Sequence, residues 1–257
     1  MAWVSVQRDA GSIAVVSIDN AAKLNTLNTA VMTDLIAAVE GLAGDASLRV
    51  VVLRGAGERA FIGGADIKEM ADLDRDKARA FITLVHRSCD VFRRLPVPVI
   101  ARIQGYVLGA GVEVAAACDI RVASTDSQFA MPEVRLGVPS VVEAALLPQL
   151  IGWGRTRQWL LTGDMIDAAT AHAWGLIEQV APPEELDACV ERVVQSILAA
   201  GPHAVRSQKA LISEWEELPL RQAIQRGIDC FSSSWAREEP RTLMRDFLAS
   251  RMRSKSG

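Results

Sequence analysis

The sequence predicts an α/β protein, and three observations lead there. Two continuous runs rich in β-branched residues, RVVVLRG at 49–55 and VPVIARI at 97–103, suit strands covered on both faces, as in parallel sheets crossed over by helices. The stretches between them carry apolar residues at helical spacing. From about residue 181 onward the strand signal stops and helical segments follow one another. A strand and helix succession of this kind is an α/β plan with a helical layer at its end.

The elements follow in order. Residues 3–8 and 12–18 alternate as paired strands around Ala10 and Gly11. Over 29–43, Val31, Leu35, Ala38, Val39 and Leu42 recur as one face of a helix. After strand 49–55 a loop through Gly64 leads to a charged helix over 74–94, which Pro96 and Pro98 end before strand 97–103. A turn, the short helix GAGVEVAAAC, the strand DIRVA and the strand QFAM repeat the pattern. The closing helices span 183–199, 202–216, 219–236 and 240–254. Their Trp215, Phe231, Trp235, Met244 and Phe247 exceed the needs of a free-standing short bundle, and are read as packing on the core or on another subunit. The tail 254–257 is expected to fray.

Composition narrows the function. A chain of 257 residues that is 50% hydrophobic is long enough to bury a large core. A formal charge of -3 supplies no basic field, which argues against nucleic acid or an anionic membrane as partner. Cys89, Cys118, Cys189 and Cys230 lie far apart with no His at ligand spacing, so they read as reduced, mostly buried thiols and neither zinc site nor redox motif. The N-terminal strands do not resemble a targeting segment and no apolar run is long enough to span a bilayer, so cytoplasmic residence is expected.

The chemistry-bearing residues are two glutamates twenty positions apart, Glu113 in GYVLGAGVEVAAACDI and Glu133 in SQFAMPEV. Burying an unpaired carboxylate costs several kcal/mol or keeps it protonated, so such positions imply chemistry or pairing. Glu113 has no basic residue within a helical turn, which leaves a distant Arg as its structural alternative. For Glu133 the alternative is simple surface exposure.

Two glycine clusters accompany the acids, Gly63-Gly64 ahead of a helix start and Gly109-Ala110-Gly111 opening the helix of Glu113. One such cluster alone is ordinarily a turn. Two could bring backbone N–H donors from separate turns onto one oxygen, as an oxyanion hole. A third cluster, Gly55-Ala56-Gly57-Glu58-Arg59-Ala60, imitates a dinucleotide fingerprint, but Phe61-Ile62-Gly63-Gly64 intervenes where a true fingerprint opens directly into a helix.

The segments FIGGADIKEM, IARIQGYVLGAGVEVAAACDIRVAS and FAMPEVRLGVP, with KLNTLN before and LIGWGRTRQWLLTGDMIDAATAHAWGLIEQV after them, resemble the enoyl-CoA hydratase/isomerase (crotonase) family over nearly the whole chain. The resemblance implies a spiral of ββα units over residues 1–200 holding an acyl-CoA site. Residues 201–257 would form a C-terminal helical trimerisation region that also closes the pocket. It implies an acyl-CoA thioester substrate, a homotrimer or homohexamer, and no metal or cofactor beyond the coenzyme A of the substrate. Matched residue by residue, the N–H groups of Ala65 and Ala110 would hold the thioester oxygen, Ala65, Asp66, Ile67 and Lys68 would line the CoA site, and Glu113 and Glu133 would be the acid/base pair. The implied reaction is reversible hydration of a 2-enoyl-CoA, with Glu113 activating water and Glu133 protonating the α-carbon. Double-bond isomerisation is the alternative within the family, and a non-catalytic acyl-CoA-binding or scaffold subunit the alternative outside it.

The chain departs from the family pattern at several positions. Ala110 stands at a usual glycine and Gln104 at a usual Asn or His. After Glu133 a glycine-rich run gives way to LGVPSVVEAALLPQLIG, whose Val141 and Val142 would reshape the acyl wall. There Glu143 is a possible third acid, with an N-terminal helix acid as its plain reading. The C-terminal departure leaves CoA-phosphate contacts by Arg251, Arg253 or Lys255 uncarried. His86, His172 and His203 fall on no motif and read as structural or solvated.

Overall fold

A computed structural model describes residues 2–9 and 12–253; the Ala10–Gly11 turn, the tail 254–257 and with it Lys255 lie outside the described residues. The chain divides into two compact units, Met1–Val194 and Gln195–Gly257.

In the first unit, β1 (Val4–Arg8) and β2 (Ile13–Ile18) pair antiparallel, as their alternation predicts. From β2 the sheet continues in parallel through β3 (Val50–Gly55), β5 (Val99–Ile103), β7 (Ile120–Ser124) and β10 (Gln179–Ala181). A smaller sheet is built from β4 (Ala60–Ile62), β6 (Tyr106–Leu108), β8 (Gln128–Ala130) and β9 (Met165–Asp167), the first three parallel. Each of β3, β5 and β7 hands the chain through a short connection to β4, β6 or β8, and a helix follows. These are successive ββα units. All five residues of β5 are buried, and β3 is buried except for Arg54, the burial that continuous β-branched runs require.

The helices obey their sequence signals. In α1 (Thr29–Glu40) Asn28 caps the start by accepting from the Val31 N–H at 2.9 Å, and Val31, Met32, Leu35, Ile36 and Val39 are buried. The short α2 (Ile67–Ala71) precedes α3 (Arg75–Arg94), which is capped by Asp74, buries Phe81, Val85, Cys89 and Phe92, and packs on α1. Burial of each such side chain contributes roughly 1.5–3 kcal/mol. Then come α4 (Ala110–Ala117), α5 (Leu147–Thr162), which is kinked at Gly152, α6 (Ala168–Trp174) and α7 (Leu186–Ala199).

The second unit holds α8 (Pro202–Glu217), α9 (Leu220–Ser234) and α10 (Glu239–Arg253). Glu239 accepts from the His203 and Ala204 N–H groups at 3.1 and 2.9 Å, so a carboxylate from α10 caps the positive end of α8. Trp215, Ile224, Ile228 and Phe231 line an apolar groove of about 840 Å³ within this unit, and Met244 and Phe247 are exposed as well. Among the described residues no helix is long and apolar enough to cross a membrane.

Candidate active site

Two turns leave neighbouring parallel strands at one edge of the small sheet. The first follows β4: Gly64 holds φ +95°, and a Cβ there would press on the Leu108 carbonyl at 3.0 Å, so the turn accepts only glycine. Leu27 donates to the Gly64 carbonyl at 2.8 Å, and the Asp66 N–H donates to the Leu27 carbonyl at 2.9 Å. These bonds use the residues on either side of Ala65. Its own N–H takes no part in this bridge.

The second turn follows β6. Gly109 holds φ +50° and donates to the Ala130 carbonyl at 2.9 Å, and Ala110 then opens α4 with an N–H that has no intrahelical partner. Gly111 brings this turn against the first, because a Cβ on it would collide with the Ile62 carbonyl. The donors that sequence analysis singles out therefore lie at the ends of hydrogen-bonded strands. One expectation needs correction. The start of α2 is not a set of bare N–H groups, because the Asp66 carboxylate accepts from Lys68 and Glu69 at 2.9 and 3.4 Å. Of the residues expected to line a CoA site, Ala65 and Asp66 are half-buried and Ile67 and Lys68 are exposed.

All eight residues of α4 are buried, and Glu113 is 4% exposed. It forms no ion pair with an Arg among the described residues. Burial, followed by the negative charges of Glu133 and Glu143, raises its pKa from 4.5 to about 8 against the opposing pull of the Ala144 and Val141 N–H groups. At neutral pH Glu113 holds a proton. Glu133 opens the 3₁₀ turn Glu133–Leu136 and is half-buried. Its Oε2 accepts from the Ser140 hydroxyl at 2.8 Å, and its Oε1 lies so close to Gly109 that a Cβ there would displace the carboxylate. Gly109 is thus the point where the acids meet: it opens the helix of Glu113 and makes room for Glu133.

Glu143 does not behave as an exposed acid at a helix start. It lies in the 3₁₀ turn Val142–Leu146, is 6% exposed, and places Oε1 2.7 Å from Nδ1 of His86 on α3. No hydrogen bond reaches its buried Oε2. The preceding Val142 holds φ +40°, a strained conformation for a β-branched residue. Cys89, one turn beyond His86, has its thiol pKa pushed well up by burial and by the charges of Glu143 and Glu113. The possible third acid of the sequence is therefore buried, with a histidine behind it.

His86 is the residue that motif reading missed. It lies 57 positions from Glu143, and its only local signal is a place beside Val85 on an amphipathic helix. Of the other histidines, His172 meets the Ile177 carbonyl through Nδ1 at 3.0 Å, and His203 is exposed and donates its backbone N–H to Glu239. Gln104 is buried and accepts from Arg102 at 3.1 Å. Among the described residues no cluster of His, Cys, Asp and Glu could hold a metal ion.

Two N–H donors beside several acids, one of which holds its proton at neutral pH, suit reactions that build negative charge on a carbonyl oxygen and move protons at adjacent carbons. Known proteins agree with that chemistry. The family model for enoyl-CoA hydratase/isomerase matches residues 8–253. The chain is 33% identical to the short-chain-enoyl-CoA hydratase of Clostridium acetobutylicum over 245 residues, 94% of this chain and 93% of that one. It is 33% identical to the crotonyl-CoA hydratase of Syntrophomonas wolfei over 93% of this chain and 92% of the other. The crystal structure of enoyl-CoA hydratase from Bacillus anthracis superposes with a TM-score of 0.92 at 30% identity, covering 96% of both chains. The ββα units are thus those of the crotonase fold, and the chain belongs to the enoyl-CoA hydratase/isomerase family.

Proposed function

We propose that this protein is an enoyl-CoA hydratase, which adds water reversibly to a 2-enoyl-CoA thioester to form the 3-hydroxyacyl-CoA. The observation that carries the proposal is the meeting of Glu113 and Glu133 at Gly109, beside the turns that present the Ala65 and Ala110 N–H groups. The names of the relatives support the same reaction.

In this reading the thioester oxygen accepts from Ala65 and Ala110, which stabilise the enolate-like charge that develops as the β-carbon is attacked. Glu113 takes a proton from water and Glu133 gives one to the α-carbon. The reverse reaction starts with the proton on Glu113, which protonates the departing hydroxyl while Glu133 removes the α-proton. The raised pKa of Glu113 keeps the proton on Glu113 in the free protein near neutral pH. Hydration starts once the proton has exchanged between the acids.

Ala65, Asp66, Ile67 and Lys68 line the CoA site as the substrate leaves the buried acids for the surface. No cofactor is needed, because the thioester itself supplies the electron sink. The exposed apolar residues of α9 and α10 support assembly into trimers or hexamers, and four cysteines without a disulfide support a cytoplasmic location.

The buried Glu143 favours one alternative, a double-bond isomerase that shuttles a proton between carbons. A panel of acyl-CoAs with product identification separates the two. Hydration consumes 2-enoyl-CoAs and yields 3-hydroxyacyl-CoAs. Conversion of a 3-enoyl-CoA with every 2-enoyl-CoA left unchanged would establish the isomerase instead.

A further inference from the structure

The hydratase mechanism uses Glu113 and Glu133 and leaves Glu143 and His86 without a task. Among the described residues the only hydrogen bond to the Glu133 carboxylate comes from the Ser140 hydroxyl, at 2.8 Å. Ser140 lies between two 3₁₀ turns, in a stretch where Val138 and Val141 are exposed. The segment is anchored three residues later. Glu143 is buried, with Oε1 2.7 Å from Nδ1 of His86 on α3 and Oε2 without a hydrogen bond. Its turn, Val142–Leu146, packs on both α3 and α4. Between Ser140 and Glu143 the backbone passes through Val142 at φ +40°, a conformation that persists only where its surroundings impose it. Loss of His86 would leave a buried carboxylate with no hydrogen bond at either oxygen. That is costly, and the carboxylate regains water most directly if its turn swings outward, relaxing Val142 and carrying Ser140 with it.

We infer that His86 is a positioning residue for Glu133: it holds Glu143 inward, Glu143 holds its turn, and the turn sets the Ser140 hydroxyl against the Glu133 carboxylate. The inference rests on the hydratase reading, in which Glu133 exchanges the α-proton. Each link is a contact or a stretch of chain: His86 to Glu143 at 2.7 Å, the backbone through Val142 and Val141, and Ser140 to Glu133 at 2.8 Å. His86 takes no proton from the reaction. Its side chain is 48% exposed, against 7% for that of Glu143, so truncating it removes a tie and little packing.

The experiment is a double-mutant cycle on hydration of a 2-enoyl-CoA by the full chain: the parent, His86→Ala, Ser140→Ala and the double variant, with the melting temperature of each. His86→Ala should lower kcat about fivefold with KM unchanged, as Ser140→Ala does. The double variant should be no slower than either single one, because Glu133 has already lost the bond through which His86 acts. His86→Asn, whose amide N–H can stand where Nδ1 stands, should restore kcat. Losses that multiply, to about twenty-five-fold in the double variant, mean that His86 acts by another route and overturn the inference. So does a parental kcat in His86→Ala, or a His86→Asn variant that melts like the parent yet stays as slow as His86→Ala. Absence of hydration by the parent protein overturns the hydratase reading and the inference together, whereas the three former outcomes leave that reading standing.

Discussion

The walls of the candidate site are built differently. One is α4, where every residue is buried, the entering glycine has a left-handed φ, and the next glycine presses on the Ile62 carbonyl. The other is the segment from Glu133 to Leu146, two 3₁₀ turns joined by a stretch with Leu136, Val138 and Val141 exposed. The first wall is packed at every residue and fixes a donor and an acid together. The second hangs its acids on side-chain contacts, Ser140 for Glu133 and His86 for Glu143. A family can keep chemistry on the rigid wall and adapt substrates on the other, since loop segments tolerate replacement more readily than packed helices.

The comparison breaks most sharply at the acids. Glu113→Gln and Glu133→Gln should each lower turnover on the order of a hundredfold or more with CoA binding largely kept, measured as kcat and ligand affinity. Unaltered turnover in either variant removes that residue from the mechanism. Glu113 also carries a stability signature. Its folded pKa of about 8 lies above the ordinary 4.5, so its contribution is complete below pH 4.5 and is lost as pH rises through about 8. Denaturant unfolding should therefore show a loss of a few kcal/mol between pH 6 and 9. The Gln variant should lack that component, and identical pH dependence in both proteins would contradict the buried, protonated state.

Gly109→Ala tests where the walls meet. A methyl group there enters the space of Glu133 Oε1 and burdens a φ of +50°, so kcat should fall about tenfold with a stability loss of roughly 1–2 kcal/mol. A variant as active as the parent would mean that Glu133 is free to sit elsewhere. The smallest effect belongs to Ser140→Ala, which removes one hydrogen bond worth about 1 kcal/mol from the softer wall. A several-fold fall in kcat is expected, and a loss as large as that of Glu133→Gln would show the second wall to be as rigid as the first.

Much of this was legible before folding. The buried strands β3 and β5, the amphipathic α1 and α3 and the closing helices follow from periodicity and from proline and capping residues, all effects that act within a few positions. The acids and glycine turns were legible because their types are costly in apolar surroundings. The Asp66 cap on α2 was readable in principle, since an Asp before a helix start is a common N-cap, but the glycines beside it suggested open donors instead.

By itself, then, the sequence determined the order of strands and helices, the family, and which acids and turns could carry chemistry, because spacing and composition act locally along the chain. Only the tertiary structure decided that Gly109 joins Glu113 to Glu133, that Glu143 turns inward, and that His86 stands behind it. Those outcomes depend on contacts across 24 positions for Gly109 and Glu133 and 57 for His86 and Glu143. The charge state of Glu113 depends likewise on the summed burial and charges of its neighbours, and no local pattern encodes that sum.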